Sequence, residues 1–253
     1  MNRSQLLRRV HTAWEALEQS FAALSEARLT EPGVSGEWSV KDILAHVTTW
    51  EAEALKYLPL IVEGGTPPRY ASEGGIDVFN ATWAAVTPTG GFVDPKIPAG
   101  YAPFGIQTIG ARIFVTFAKQ GPGAKDEIDG QGLGFVDAFD TDGNLLVRVA
   151  QRGQLNAPWG LALAPASFGR FGGDLLVGNF GDGHVNAYQE LPDGTFELIG
   201  ALRTADGRKL VIDGLWALQF GHGTVNNGPI DTLFFTAGPD GEADGLFGTI
   251  TAA

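Results

Sequence analysis

Carboxylates at alternate positions in Asp240-Gly-Glu-Ala-Asp-Gly245 have the spacing of the first half of a calcium loop, where oxygens one, three and five converge on a hard cation. Asp240, Glu242 and Asp244 would be the ligands. The twelfth position, which should supply a bidentate Glu, is Thr251, so the run reads equally as a turn between strands. Two more acids sit in Gly-flanked loops, Asp182 in Asn179-Phe-Gly-Asp182 and Asp213 in Ile212-Asp-Gly214. They are candidate ligand-binding residues, and turn chemistry accounts for them as well.

Other chemistry is thin. The chain has no Cys, which removes disulfides, thiolate metal sites and a Cys nucleophile. His184 begins a strand pattern and His222 lies between glycines, neither with a ligand partner at a diagnostic spacing. Gly130-Gln-Gly-Leu-Gly134 leads into a strand rather than a helix, so it is no dinucleotide fingerprint. No G-x-S-x-G, H-E-x-x-H or P-loop pattern occurs. A formal net charge of -12 over 253 residues gives no basic face, making nucleic acid and anionic membrane poor partners.

Two kinds of element must position these groups, and they meet at Thr87–Gly91. Before it, Leu7, Val10, Trp14, Leu17, Phe21 and Leu24 recur at spacings of three and four, predicting a helix from about Ser4 to Arg28 with His11 on its surface. Ser39 caps a second helix, with Asp42 at the capping-box position and Trp38 and Ile43 as staple, continuing to Leu58. A third helical stretch is predicted over Asp77–Val86, stopping at Pro88. The apolar residues near the start are interrupted by Arg8, Arg9, His11, Glu15 and Glu18, so neither a signal peptide nor a membrane span is expected, and the expected compartment is the cytoplasm.

After the junction, one pattern repeats about every 55 residues: Pro103-Phe-Gly-Ile106, Pro158-Trp-Gly-Leu161 and Gly214-Leu-Trp-Ala-Leu218. An apolar strand follows each, then a Gly-led strand starting at Gly134, Gly183 or Gly245. In the first two copies an Asp-Gly turn, Asp142-Gly143 or Asp193-Gly194, leads to an outer strand. Four strands at this period mark a propeller blade, and the third copy has no room for its outer strand.

The run Gly36-Glu-Trp-Ser-Val-Lys-Asp-Ile-Leu-Ala-His-Val-Thr-Thr-Trp-Glu51, with Glu31-Pro-Gly33 before it and Asp77…Phe79-Asn80 after it, resembles the DinB-like four-helix bundles, nearest the ClbS/DfsB branch. Many such proteins bind a divalent metal through a His at the end of W-S-x-x-D-x-x-x-H, and His46 holds that position. The resemblance implies two further ligands on a last helix, which has no counterpart here. One imidazole cannot hold a catalytic metal. A divalent metal at His46 therefore requires ligands from another chain. The stretches Phe92–Ile106, Ala157–Pro165, Leu176–Gly183 and Leu233–Gly248 are similar to an uncharacterised, usually exported bacterial propeller family in the NHL style. They cover about three of an expected six blades.

The expected fold class is α+β and multi-domain: residues 1–87 as antiparallel helices of a partial DinB-like bundle, then residues 88–253 as an all-β partial propeller of about three blades. The expected function is a non-enzymatic propeller-type binding or scaffold protein with a truncated helical appendage, in a chain that joins fragments of two genes. The alternative implied by the first resemblance is a metal-dependent hydrolase or thiol-using transferase acting on a small electrophile. A two-fold homodimer would complete both half-domains, two arcs closing a ring of six.

Overall fold

The computed structural model describes residues 8, 11–12, 14–15, 18–19, 21–30, 75–80, 85–124, 126–224 and 227–252. Contacts divide the chain into one unit of Met1–Pro68 with Thr224–Asn227 and another of Arg69–Gly223 with Gly228–Ala253.

In the first unit, the described positions from Arg8 to Phe21 have helical backbone, with Trp14 Nε1 donating to Glu18 Oε1 at 3.0 Å and His11 beside Glu15 on the exposed surface. A short helix α1 (Glu26–Leu29) follows, capped by the Ser25 hydroxyl, which accepts from the Arg28 N–H. The expected helix over Ser39–Leu58, and His46 with it, lies outside the described residues.

The second unit is built of strands. β1 (Val78–Phe79) and β2 (Ala85–Val86) pair antiparallel, Val78 opposite Val86. Then come β3 (Tyr101–Ile109), β4 (Arg112–Lys119), β5 (Gly134–Phe139) and β6 (Leu145–Gln151), one four-stranded meander. A second is formed by β7 (Pro158–Leu163), β8 (Leu175–Asn179), β9 (Val185–Glu190) and β10 (Phe196–Ala201). A third sheet has three strands, β11 (Leu215–Phe220), β12 (Thr232–Ala237) and β13 (Leu246–Thr251). A one-turn element, α2 (Pro239–Glu242), joins the last two.

The α+β expectation is corrected by these elements. Apart from the helical positions between Arg8 and Phe21, the described residues are almost all β, in four sheets, with two short helices and no bundle of antiparallel helices. The predicted third helix is replaced by the β1–β2 pair. Val78 and Val86 are β-branched and Phe79 is aromatic, all good strand formers. Ile76 and Val78 pack on a cluster of Phe92, Val115, Phe117, Phe135 and Phe139, a non-local contact that outweighs weak helix propensity. No helix among the described residues is long and apolar enough to cross a membrane.

The three larger sheets stack as blades, with β3 against β7 and β7 against β11. Alternation places one face of each strand toward the preceding blade and the other toward the next. Thus Phe114, Val136, Leu161, Leu175, Val177 and Tyr188 fill the space between the first and second blades. Ala162, Leu176, Ala187, Leu215, Leu218 and Leu233 fill that between the second and third. Strands covered on both faces, β5 and β8, are buried at every position, and each large apolar side chain so buried stabilises by about 1.5–3 kcal/mol. Two glycines set the spacing: a Cβ on Gly105 would collide with the Trp159 carbonyl, and one on Gly160 with the Trp216 carbonyl. The equivalent residue of the third blade, Ala217, is exposed and carries its methyl freely.

Candidate functional site: an acidic, aromatic mouth

Each inner strand carries an aromatic residue inside a register irregularity. The shifts lie between Pro103 and Gly105, between Pro158 and Leu161, and between Leu215 and Leu218, so Phe104, Trp159 and Trp216 occupy equivalent bulges. A bulge bends the strand and re-aims the side chain at the sheet's edge. Phe104 and Trp159 meet at 4.7 Å between ring centroids, and Phe180, from the β8–β9 loop, stands 6.0 Å and 6.1 Å from the two. All three rings are half-buried.

The loops joining second and third strands, at the end of the blades where these rings lie, carry acids. In the first blade they are Asp126, Glu127 and Asp129; in the second, Asp182; in the third, Asp240, Glu242 and Asp244. Burial raises the Glu127 carboxyl above its ordinary range, its own backbone N–H works against this, and Asp129, Glu242 and Asp126 raise it further by repulsion. Asp129 is raised likewise, first by burial and then by Asp182. Charges from all three blades thus feel one another.

Within the third blade, α2 has left-handed backbone: φ is 57° at Asp240, 62° at Gly241 and 64° at Glu242. Non-glycine residues rarely hold this conformation. Two contacts hold it here: Trp216 Nε1 donates to Glu242 Oε1 at 2.9 Å, and the Asp240 N–H donates to Asp213 Oδ2 at 3.2 Å. Asp213, Asp240 and Glu242 are therefore brought together, whereas Asp244 lies exposed beyond them. Asp182 belongs to a separate arrangement. Its Oδ1 accepts from Asn179 Nδ2 at 3.0 Å and from the His184 N–H at 3.1 Å, and its Oδ2 faces His184 Nδ1 at 3.2 Å. Asn179 Nδ2 also donates to the Gln154 carbonyl, while its buried Oδ1 has no hydrogen-bond partner among the described residues. Asn156 Oδ1 accepts from the Gly130 N–H at 2.6 Å and, like Asp129 Oδ1, lies where a Cβ on Gly181 would have to go.

Among the described residues, no three His, Asp or Glu side chains are disposed to share one metal ion. The acids are distributed over the β4–β5, β8–β9 and β12–β13 loops instead. That arrangement suits a partner carrying several cationic groups, each able to sit against a carboxylate or over an indole face. Glu127, Asp129, Asn156 and the aromatic trio were not singled out as site residues from sequence. The signal was available in Asp126-Glu-Ile-Asp-Gly130, where acids precede a Gly-led strand as they do at Asp182 and at Asp240–Asp244.

Residues 9–111 match the DinB superfamily, a match to the superfamily rather than to one branch, running past Thr87–Gly91 into β3. Two uncharacterized proteins of Acanthamoeba polyphaga mimivirus are similar to the chain. One is 37% identical over 158 residues, 62% of this chain and 37% of that protein; the other is 36% identical over 158 residues, 62% of this chain and 40% of that protein. The chain thus spans well under half the length of these relatives. A solved putative gluconolactonase superposes with a TM-score of 0.36 and 20% identity, covering 59% of this chain and 48% of that one.

Proposed function

We propose that the blade-forming unit is a non-enzymatic binding or scaffold module, and that its mouth receives a cationic partner: a polypeptide segment bearing several Lys or Arg residues. One observation carries this reading. Carboxylates from three successive blades lie at the end of the stack that carries the half-buried Phe104, Trp159 and Phe180 rings, and the Glu127 and Asp129 carboxyls are raised first by burial and then by neighbouring acids, Glu242 of the third blade and Asp182 of the second among them. A bound cation relieves that repulsion and gains contact with the rings.

Titration of the protein with an oligolysine peptide, followed by Trp fluorescence, tests it. Saturable binding is expected, weakening with added salt, strengthening as pH rises through the raised Glu127 and Asp129 range, and lost on combining Asp129→Asn with Asp182→Asn. Equal binding of an oligoglutamate control, or binding indifferent to those substitutions, refutes the proposal.

The DinB superfamily match supports a second reading, a metal-dependent hydrolase or thiol-using transferase acting on a small electrophile, with His46 as one ligand and the rest from another chain. Elemental analysis of purified protein decides it. Less than about a tenth of an equivalent of Zn, Ni or Fe, unchanged by His46→Ala, removes this reading.

A further inference from the structure

The blade interfaces repeat a cavity, but one of the two has a missing wall. Between the first and second blades a cavity of about 320 Å³ is lined by Arg148–Gln154, Tyr188, Phe196 and Leu198. Between the second and third, the cavity is about 600 Å³, with Phe168, Phe171, Leu202, Leu210 and Ile250 as its apolar lining. The two sites are equivalent in register. Leu175 stands opposite Tyr188 as Leu233 stands opposite Ile250, each pair facing the preceding blade.

On the outer side of Tyr188 stands Leu198 of β10, which with Phe196 closes the smaller cavity. On the outer side of Ile250 no described strand stands, since β13 is the edge of its sheet. Leu246 and Phe247 are left 45% and 68% exposed. Arg170 and Arg203 flank the trough. Among the described residues neither has a carboxylate partner: Arg170 donates to the Ile199 carbonyl and lies over the Phe171 ring, and Arg203 donates to the Gly207 carbonyl.

We propose that the missing wall is β13 of a second copy of this chain, paired antiparallel about a two-fold axis at Gly248. In this register Leu246 of each copy stands opposite Ile250 of the partner subunit and enters its trough, taking the place that Leu198 takes opposite Tyr188. Asp244 falls opposite Ala252 of the partner subunit, which packs at Gly169 close to the Arg170 guanidinium, a group with no carboxylate partner among the described residues. The sequence selects this register. A one-residue slip turns Leu246 out of the trough. A two-residue slip sets either Asp244 or Gly248 opposite Ile250, burying a charge or leaving the trough unfilled. An isologous edge-to-edge pair also removes the exposed strand edge from both copies at once. This contact is distinct from the face-to-face closure of two arcs into a ring.

Light scattering and sedimentation velocity across a concentration series test the pairing. The wild-type chain is expected to be dimeric, and Leu246→Asp monomeric with an unchanged circular dichroism spectrum. Arg170→Glu is expected to weaken the dimer by about tenfold or more, and adding Asp244→Arg to restore it. Should Leu246→Asp misfold, the charge exchange decides alone. A monomer at every concentration overturns the proposal, including one that binds a synthetic peptide of residues 193–202, as does a dimer unaffected by the charge exchange.

Discussion

Trp216 and Glu242 are joined by an Nε1–H···Oε1 hydrogen bond of 2.9 Å that holds a left-handed turn against the inner strand of the third blade. The left-handed conformation costs a non-glycine residue about 1–2 kcal/mol, and the bond offsets part of that. Glu242→Ala loses the bond and keeps the strain, so it is expected to destabilise by about 1–2 kcal/mol. Glu242→Gly loses both and should lie near wild type. Urea unfolding of the two variants side by side measures the difference.

Gly105 and Gly160 are sites where a single methyl meets the backbone of the next blade. Ala substitution at either is expected to cost about 1–3 kcal/mol by overpacking. Ala217→Gly, at the equivalent exposed position, should cost no more than about 1 kcal/mol, the ordinary penalty of glycine in a strand. Thermal melts of the three variants check the contrast, and equal effects at Gly160 and Ala217 count against the stacking described.

The repeat was legible because each copy must meet the same local demands. Pro103-Phe-Gly, Pro158-Trp-Gly and Leu215-Trp-Ala mark three bulges, and Asp142-Gly143 and Asp193-Gly194 mark two turns, all from short-range chemistry. The β1–β2 pair was not legible: its strands are two residues each, too short for either period to show, and Val78 is held by Phe92-cluster contacts remote in sequence. The mouth was half legible. Asp182, Asp213, Asp240 and Glu242 stand out beside glycines, but the burial of Glu127 and its repulsion by Glu242 arise only when the blades stack.

Arg148 bridges two buried carboxylates, Asp94 and Asp137, beneath the outer face of the first blade. Burial pushes Asp137 up to about 6 despite the attraction of Arg148, with repulsion from Asp94 adding to the rise, and its Oδ2 is buried without a partner. The folded pKa lies above the unfolded one, so the native state holds a proton that the unfolded chain releases between about pH 4 and 6. This contribution is full below that window and is lost as pH rises through it. Asp137→Asn should remove a stability difference on the order of 2 kcal/mol between pH 4 and 7. The lowered carboxyls of Asp140, Glu190, Asp193 and Asp206 pull the other way in both proteins, so they cancel when the two pH profiles are subtracted.

Arg112 of the first blade grips Glu190 of the second with two hydrogen bonds, 2.8 Å and 2.6 Å, while lying over the Phe114 and Phe196 rings. The hydrogen bond from Arg112 lowers the Glu190 carboxyl. Both groups are about one-third exposed, so solvent screens the pair. Glu190→Gln should destabilise by about 0.5–1 kcal/mol at low salt, the difference shrinking in 1 M salt. Denaturant midpoints at two ionic strengths give the answer.

The two glycine contacts also determine how the structure comes apart. Each blade touches its neighbours through its own pair of faces, so among the described residues β7–β10 has a packed sheet on both sides and β11–β13 on one. A linear stack of this kind loses order from an uncovered end inward. Amide protons of β8 should therefore outlast those of β12 in hydrogen exchange, a gradient that runs along the stack although both are second strands, paired on each side within their own blade.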